Sequence, residues 1–196
     1  MVYIAELKDA IRRQDMLKYA MLLTQVEDIN MVYPELDHHT LLHYVIRRSQ
    51  SSQFPKLLVD NGANTEIRDR DGSTPLLLAC HVAPWSHAKM LIDAEADEKI
   101  KDNEGAGPLH NIAFNSHFSA HSKLTPYLLS RGAEVDARDE QGHTPLYYAC
   151  RENRDSMVKH LLDYGADISV TDKWGSTIFD LNLGAHVKAL LYGRKK

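Results

Sequence analysis

A short motif recurs along this chain at a nearly constant interval. Its fullest copy is Thr144-Pro145-Leu146, and another copy is Thr74-Pro75-Leu76. The threonine position falls in turn at Thr40, Thr74, Gly107, Thr144 and Thr177, with intervals of 34, 33, 37 and 33 residues. Self-similarity with a period of about 20 to 50 residues predicts a solenoid, in which each unit packs only on its neighbours.

Other residues recur in phase with this motif. An aspartate stands five residues before the threonine position in four units, and a Gly-Ala pair follows the second apolar stretch, as at Gly62-Ala63 and Gly165-Ala166. Spacing and residues together resemble the ankyrin repeat, a turn followed by two antiparallel helices, over nearly the whole chain. This resemblance implies an all-α solenoid of about six helix-turn-helix units with short hairpin-like turns.

The repeat phase divides residues 1–196 into one domain of stacked units. These are an N-terminal cap unit, four repeats and a C-terminal cap unit, with the bounds 1–34, 35–68, 69–101, 102–138, 139–171 and 172–196. Terminal units of a solenoid are atypical, because one face must meet water. In the first unit a helix-like apolar stripe is formed by Ile4, Leu7, Ile11, Leu17 and Leu22-Leu23.

Three irregularities mark the middle units. Glu95 stands where glycine is expected, so that turn is either strained or rebuilt. The interval of 37 residues places an insertion within residues 115–123, between two helices. Pro55, Pro84 and Pro126 lie near the start of the second helix of consecutive units. Because proline disrupts a helix beyond its first turn, we expect these helices to begin late and run short, after longer loops.

Most recurring residues have a structural explanation. The threonine hydroxyl can cap the inner helix, and the following proline suits a first helical turn. The aspartates can accept backbone hydrogen bonds within the turn. The family resemblance implies that His43 and His110 bond to neighbouring backbone. It also suggests that Asn30, after Asp28-Ile29, is either an asparagine hydroxylation site or only holds its turn.

Composition and charge argue against several classes of protein. The formal net charge is −4 and the pI about 6.2, which argues against a general nucleic-acid binder. The basic run Arg194-Lys195-Lys196 is interpreted as a solubilising end. The N-terminal stretch carries charges throughout, unlike a signal peptide, and no apolar run reaches the ~18 residues of a membrane helix. We expect a cytoplasmic protein, with the nucleus as a further possibility.

Nothing in the sequence completes a catalytic or metal site. His39 and His43 lie four residues apart, as do His117 and His121, but zinc needs three or four ligands. Phosphate-binding glycine loops and nucleophile turns are absent from the sequence. We therefore expect no enzyme, no cofactor and no metal.

Cys80 and Cys150 occupy the same repeat position, each just after an alanine. They lie two repeats apart, too far for a disulfide, and neither has the electropositive setting of a nucleophile. We expect both to be buried small hydrophobes in a reducing compartment.

Function must therefore come from positions that the repeat pattern leaves free. The resemblance implies that the turn tips and the exposed side of the inner helices line a concave groove, which binds another protein. The candidate binding residues are Arg47, Arg48, Arg70, Asp71, His81, Asn103, Phe114, Gln141, His143, Tyr147, Arg151, Lys173 and Trp174.

Alternatives remain open at several of these positions. Trp174 either contacts a partner from its turn tip, since tryptophan is enriched in binding hot spots, or packs back on the terminal helix. Phe114 and Tyr147-Tyr148 are ambiguous in the same way, and the arginines either meet partner carboxylates or only face water. We predict a monomeric adaptor or occluding inhibitor. The alternative is a structural or self-associating repeat protein.

Overall fold

The computed structural model describes residues 2–115, 117 and 120–193, with side chains from residue 4 onward within those ranges. Eleven α-helices in this part of the chain confirm the predicted all-α repeat solenoid. They are α1 (Val2–Arg13), α2 (Met16–Leu23), α3 (Leu41–Arg48), α4 (Gln53–Asp60), α5 (Pro75–Val82), α6 (Trp85–Asp93), α7 (Pro108–Phe114), α8 (Thr125–Ser130), α9 (Pro145–Arg151), α10 (Asp155–Asp163) and α11 (Ala185–Tyr192).

Helix hairpins stack on one another in chain order. The inner helices α3, α5, α7 and α9 each contact the next, while α4 and α6 pack together in an outer layer. The core lies between the layers: Leu76 and Leu91 of one unit and Leu146 and Leu161 of another are fully buried. One hairpin alone cannot cover its apolar face, so burial depends on the neighbouring units.

The first unit is a pair of helices, as expected. The chain reverses at Gln14, whose φ of 58° is left-handed. Asp15 then caps α2, because its side chain accepts a hydrogen bond from the Lys18 amide at 2.9 Å.

Leu17 departs from the predicted apolar stripe. It is 82% exposed, and Tyr19 takes the buried position on α2 instead. The turn between α1 and α2 breaks the helical phase, so a stripe counted through it assigns the wrong face to the second helix.

The second unit opens with a short hairpin of β1 (Val32–Tyr33) and β2 (His39–Thr40). The strands pair antiparallel, with Val32 opposite Thr40 and Tyr33 opposite His39. A 3₁₀ turn over Pro34–Leu36 joins them.

The prediction that three outer helices begin late and run short is wrong for α4 and α6. Helices α4 and α6 have eight and nine residues, as against nine in α10, which lacks a proline. Pro55 lies in the first turn of α4 and Pro84 immediately precedes α6, where a missing amide hydrogen costs nothing. Helix α8 has six residues, but it continues from a π-helical segment over Ala120–Leu124.

The insertion falls between α7 and α8, as predicted, and Asn115 fastens its start. This side chain is fully buried and donates hydrogen bonds to the Cys80 and Ala83 carbonyls at 2.8 and 2.9 Å. His121, also buried, lies with Nε2 3.0 Å from the Ile112 carbonyl. The insertion is therefore tied to the inner helices of two units.

The last unit is reduced. Its inner helix is a single 3₁₀ turn, Ile178–Asp180, and α11 closes the stack. The rings of Phe179 and Tyr192 meet with centroids 5.8 Å apart, which joins the turn to α11. The basic run 194–196 lies outside the described residues.

Candidate protein-binding surface

The recurring aspartates build the turns that project from the helices. In the fourth unit, Asp102 Oδ1 accepts hydrogen bonds from the Glu104 and Ala106 amides at 3.0 and 2.9 Å. Equivalent pairs of bonds occur in the third, fifth and sixth units, at Asp69, Asp139 and Asp172. The predicted structural role of these aspartates is confirmed.

Threonine and histidine fix the inner helices relative to the turns. The Thr40, Thr74 and Thr144 hydroxyls accept the capping amide bond of α3, α5 and α9. His43 Nε2 lies 3.2 Å from the Ser73 carbonyl, and His110 Nε2 lies 3.2 Å from the His143 carbonyl. Each histidine thus bridges to the turn of the next unit, as the sequence predicted.

Neighbouring turn tips are joined directly through the backbone. The Asn103 amide donates to the Asp71 carbonyl at 3.1 Å, and the Lys173 amide donates to the Gln141 carbonyl at 3.0 Å. The Asn103 side chain adds a bond to the Arg70 carbonyl at 3.1 Å. These bonds hold the tips at fixed spacing, so side chains on them are preordered.

The tips and inner helices of the third and fourth units enclose a cavity of about 490 Å³, here called the central groove. Five of the predicted residues border it: Arg47, Asp71, His81, Asn103 and Phe114.

An aromatic stripe continues from the central groove into the fifth and sixth units. It consists of His81, Phe114, Tyr148, His143, Tyr147 and Trp174. Successive ring centroids lie 5.8 Å apart from His81 to Phe114, 4.9 Å from there to Tyr148, and 5.5 Å on to His143. Tyr147 stacks on His143 at 3.9 Å.

Trp174 ends the aromatic stripe. It is 70% exposed, and its ring centroid lies 6.2 Å from that of His143. The alternative that it packs onto the terminal helix is therefore wrong, because Phe179 takes that position against Tyr192.

Hydrogen bonds and charges hold the middle of the stripe. Tyr148 donates its hydroxyl proton to Asp139 Oδ2 at 2.6 Å, and His143 Nε2 lies 3.5 Å from Asp172 Oδ2. Burial is the main cause that raises the pKa of the Tyr148 hydroxyl, and the hydrogen bond to Asp139 adds to it. Tyr148 therefore stays a neutral donor at physiological pH.

The remaining predicted residues divide into two groups. Arg151 lies over the stripe, with its guanidinium carbon 4.7 Å from the Tyr148 ring centroid and 5.3 Å from that of Phe114. Arg70, Gln141 and Lys173 are exposed on the turn tips.

Arg48 is separated from the others. It borders a different cavity, between α1 and α3, where its guanidinium lies 6.0 Å from the Tyr44 ring centroid. The remaining twelve predicted residues lie on the turn tips and the inner-helix face. Arg48 borders neither the central groove nor the stripe.

Tyr148 and Asn111 belong to this surface but were not among the predicted binding residues. Tyr148 joins the two halves of the stripe, and Asn111 Oδ1 lies 3.2 Å from His81 Nδ1 at the groove. The sequence left Tyr147-Tyr148 open between a partner contact and packing, and the repeat pattern alone does not say which ring spans two units.

The possible metal ligands and the two thiols can be placed in the structure. Among the residues described, no three His, Cys, Asp or Glu side chains are placed to hold a metal ion. Cys80 and Cys150 are fully buried, and burial raises the pKa of the Cys150 thiol to about 12. A buried, protonated thiol is a poor nucleophile.

No helix in the described part of the chain combines the length and apolarity needed to cross a bilayer.

The fold and the periodic turn bonds define a repeat protein, and comparison with known families identifies the class. The family model for ankyrin repeats, which comprises three copies of the repeat, matches the chain twice, over residues 7–102 and 83–172. The chain belongs to the ankyrin repeat family. Members of this family are generally non-enzymatic protein-interaction modules.

Several curated proteins are similar to this chain. A putative ankyrin repeat protein of fowlpox virus is 26% identical over 91% of the chain and 40% of its own length. A putative ankyrin repeat protein of Acanthamoeba polyphaga mimivirus is 33% identical over 68% of the chain and 41% of its length. The human SH3 and multiple ankyrin repeat domains protein 2 is 30% identical over 86% of the chain and 9% of its length. The chain spans less than half the length of each of these relatives.

Proposed function

We propose that residues 1–196 form one ankyrin domain that binds a protein partner through the aromatic stripe and the central groove. The observation that carries the proposal is the continuous stripe from His81 to Trp174, which ends in a tryptophan that is 70% exposed. Aromatic and arginine side chains are the types most enriched in binding hot spots.

The rigidity of the surface supports recognition rather than catalysis. Tip-to-tip backbone bonds and helix caps fix the side chains before a partner arrives, so little conformational entropy is lost on this side of the complex. We propose that the chain acts without catalysis, as an adaptor or as an inhibitor that covers a partner's surface. We place it in the cytoplasm or nucleus, where buried free thiols persist.

A pull-down from native lysate tests this proposal. The bait is the full chain, compared with the variant Trp174→Ala/Arg151→Ala, which removes the exposed ring that ends the stripe and the guanidinium that lies over it. We expect a partner that the wild type retains and the folded double variant loses.

The matched control is Tyr164→Ala/Arg138→Ala. It also removes an exposed aromatic ring and an exposed arginine, but neither residue belongs to the stripe or borders the central groove. A partner retained equally by all three baits would contradict recognition through the stripe.

Self-association is a second candidate function, favoured by one observation. Leu17 and Met21 are 82% and 70% exposed on α2, one helical turn apart, at the N-terminal end of the stack. Size-exclusion mass measured over a range of concentrations separates the candidates. We propose a monomer, whose mass stays constant, whereas a mass that rises with concentration and falls on Leu17→Ser/Met21→Ser would support self-association.

A further inference from the structure

Acidic side chains outnumber basic ones at the central groove. Asp69, Asp71, Asp102 and Glu104 border it, and Arg47 is the arginine among its lining residues, while the Arg151 guanidinium lies at its aromatic edge over Phe114 and Tyr148. Asp69 and Asp102 each use one oxygen to hold their own turn, as the other repeat aspartates do. The groove therefore presents negative charge to a ligand.

Two of these carboxylates are carried by turn tips whose backbone is held in place. Asp71 and Glu104 are exposed at equivalent places on neighbouring tips. The backbone carbonyl of Asp71 accepts the Asn103 amide at 3.1 Å, and that of Glu104 accepts the Glu140 amide at 2.9 Å. Neither side chain forms an ion pair within the residues that the structure describes.

The aromatic side of the groove already accommodates one guanidinium. Arg151 lies 5.3 Å from the ring centroid of Phe114 and 4.7 Å from that of Tyr148, within cation–π range. His81 stacks on Phe114 at 5.8 Å with an interplanar angle of 24°.

We propose that the central groove binds arginine and lysine side chains of an extended basic segment in the partner protein. This inference rests on the proposed function and names the chemistry that the partner must carry. A partner cation enters between the aromatic side chains and the carboxylates of Asp71 and Glu104, where cation–π attraction and charge-assisted hydrogen bonds act together. Arginine is preferred over lysine, because its planar guanidinium stacks on rings and bonds carboxylates in pairs.

Fluorescence anisotropy with labelled peptides tests the inference on the full chain. The probe is a short peptide that alternates arginine with serine, compared with peptides in which lysine or glutamate replaces every arginine. At roughly 0.15 M salt, long-range attraction is largely screened. We expect saturable binding of the arginine peptide, weaker binding of the lysine peptide and none of the glutamate peptide.

Matched variants separate the groove from the overall charge. Asp71→Asn/Glu104→Gln should weaken binding of the arginine peptide about tenfold, as expected for loss of contacting charges. Glu27→Gln/Glu134→Gln changes the net charge by the same amount at exposed positions outside the groove and should change affinity less than about twofold. Circular dichroism confirms that both variants fold.

Three results would overturn the inference, the first two from the peptide measurements. One is an arginine peptide that binds no tighter than the glutamate peptide, and the other is an equal loss of affinity in the two double variants. A lysate partner that is lost on Trp174→Ala/Arg151→Ala but retained by Asp71→Asn/Glu104→Gln also contradicts it, and leaves the proposed function standing.

Discussion

Glu95 shows how one residue adapts to a conformation that the repeat imposes. Its φ is 63°, in the left-handed region that Gly62 and Gly132 occupy at the same repeat position, with φ of 88° and 89°. The turn is closed by the same backbone bond, from the Ala96 amide to the Leu91 carbonyl at 3.0 Å. Of the two alternatives left open by the sequence, the structure shows a strained turn and not a rebuilt one.

Replacing Glu95 with glycine should therefore stabilise the protein. The left-handed conformation costs a residue with a Cβ about 1–2 kcal/mol. Glycine avoids this cost, but it makes the unfolded chain more flexible, and the added conformational entropy cancels part of the gain. We expect Glu95→Gly to raise the free energy of unfolding by about 0.5–1 kcal/mol in urea titrations.

Gly132→Ala is the reciprocal control for this substitution. It places a Cβ at a φ of 89° with no atom within 4 Å, so the change isolates the backbone cost. It should destabilise the protein by a similar amount, and a Glu95→Gly variant no more stable than the wild type would contradict the argument.

Asn30 is another residue whose role the structure clarifies. Its side-chain oxygen accepts the Asn64 amide at 2.7 Å, so it joins the turns of the first two units. This supports the interpretation that Asn30 holds its turn, while hydroxylation of this side chain stays a prediction.

At the scale of elements, the aspartate turns both stabilise the fold and support the proposed binding surface. All four aspartate turns use the same two amide bonds, but Asp139 has a further role, since its second oxygen accepts the Tyr148 hydroxyl at 2.6 Å. That bond couples the turn of the fifth unit to an aromatic ring of the stripe on α9. In the fifth unit, the same aspartate therefore stabilises the turn and positions a ring of the proposed binding surface.

Asp139→Ala should cost more stability than Asp102→Ala. Both lose two amide bonds, at about 1 kcal/mol each, but the first also leaves a half-buried tyrosine hydroxyl without its shorter hydrogen bond. We expect a difference of about 1 kcal/mol in the free energy of unfolding at pH 7. In a Tyr148→Phe background the two costs should become equal. Equal costs in the wild-type background would show that the tyrosine bond contributes nothing.

At the scale of the whole molecule, buried histidines make stability depend on pH. His43, His87, His110 and His121 are each at most 3% exposed, and burial lowers the pKa of each side chain. For His87 burial lowers the pKa to about 4, and the backbone of Ser49, which acts in the opposite direction, does not offset it. The folded protein therefore keeps these rings neutral in mild acid.

The sign of the effect follows from linkage. Between pH 6.5, the ordinary histidine pKa, and pH 4, the unfolded chain binds more protons at His87 than the folded chain does, so stability falls as pH falls. From pH 7 to pH 5 this residue alone should remove about 2 kcal/mol from the free energy of unfolding. His87→Leu should abolish that part of the loss in paired urea titrations, whereas exposed His186→Gln should not. An unchanged pH dependence in His87→Leu would contradict the assignment.

The sequence by itself determined the repeat fold and the residues of the turns. It could do so because capping, turn and core positions are set by contacts within a unit or with the next one, and these repeat with the period of the chain. The resemblance to the ankyrin repeat then implied which positions lie on the tips and inner helices, because each position keeps its place within the unit.

Tertiary structure alone decided which of those positions meet. The Tyr148 link between units, the exposure of Trp174 and Leu17, and the separation of Arg48 depend on helix phase and on packing between units. A repeat pattern gives each side chain a position within its unit, but contacts across units depend on how far each side chain reaches. The proposed binding surface therefore depends on contacts between units, whereas the turns depend on residues within each unit.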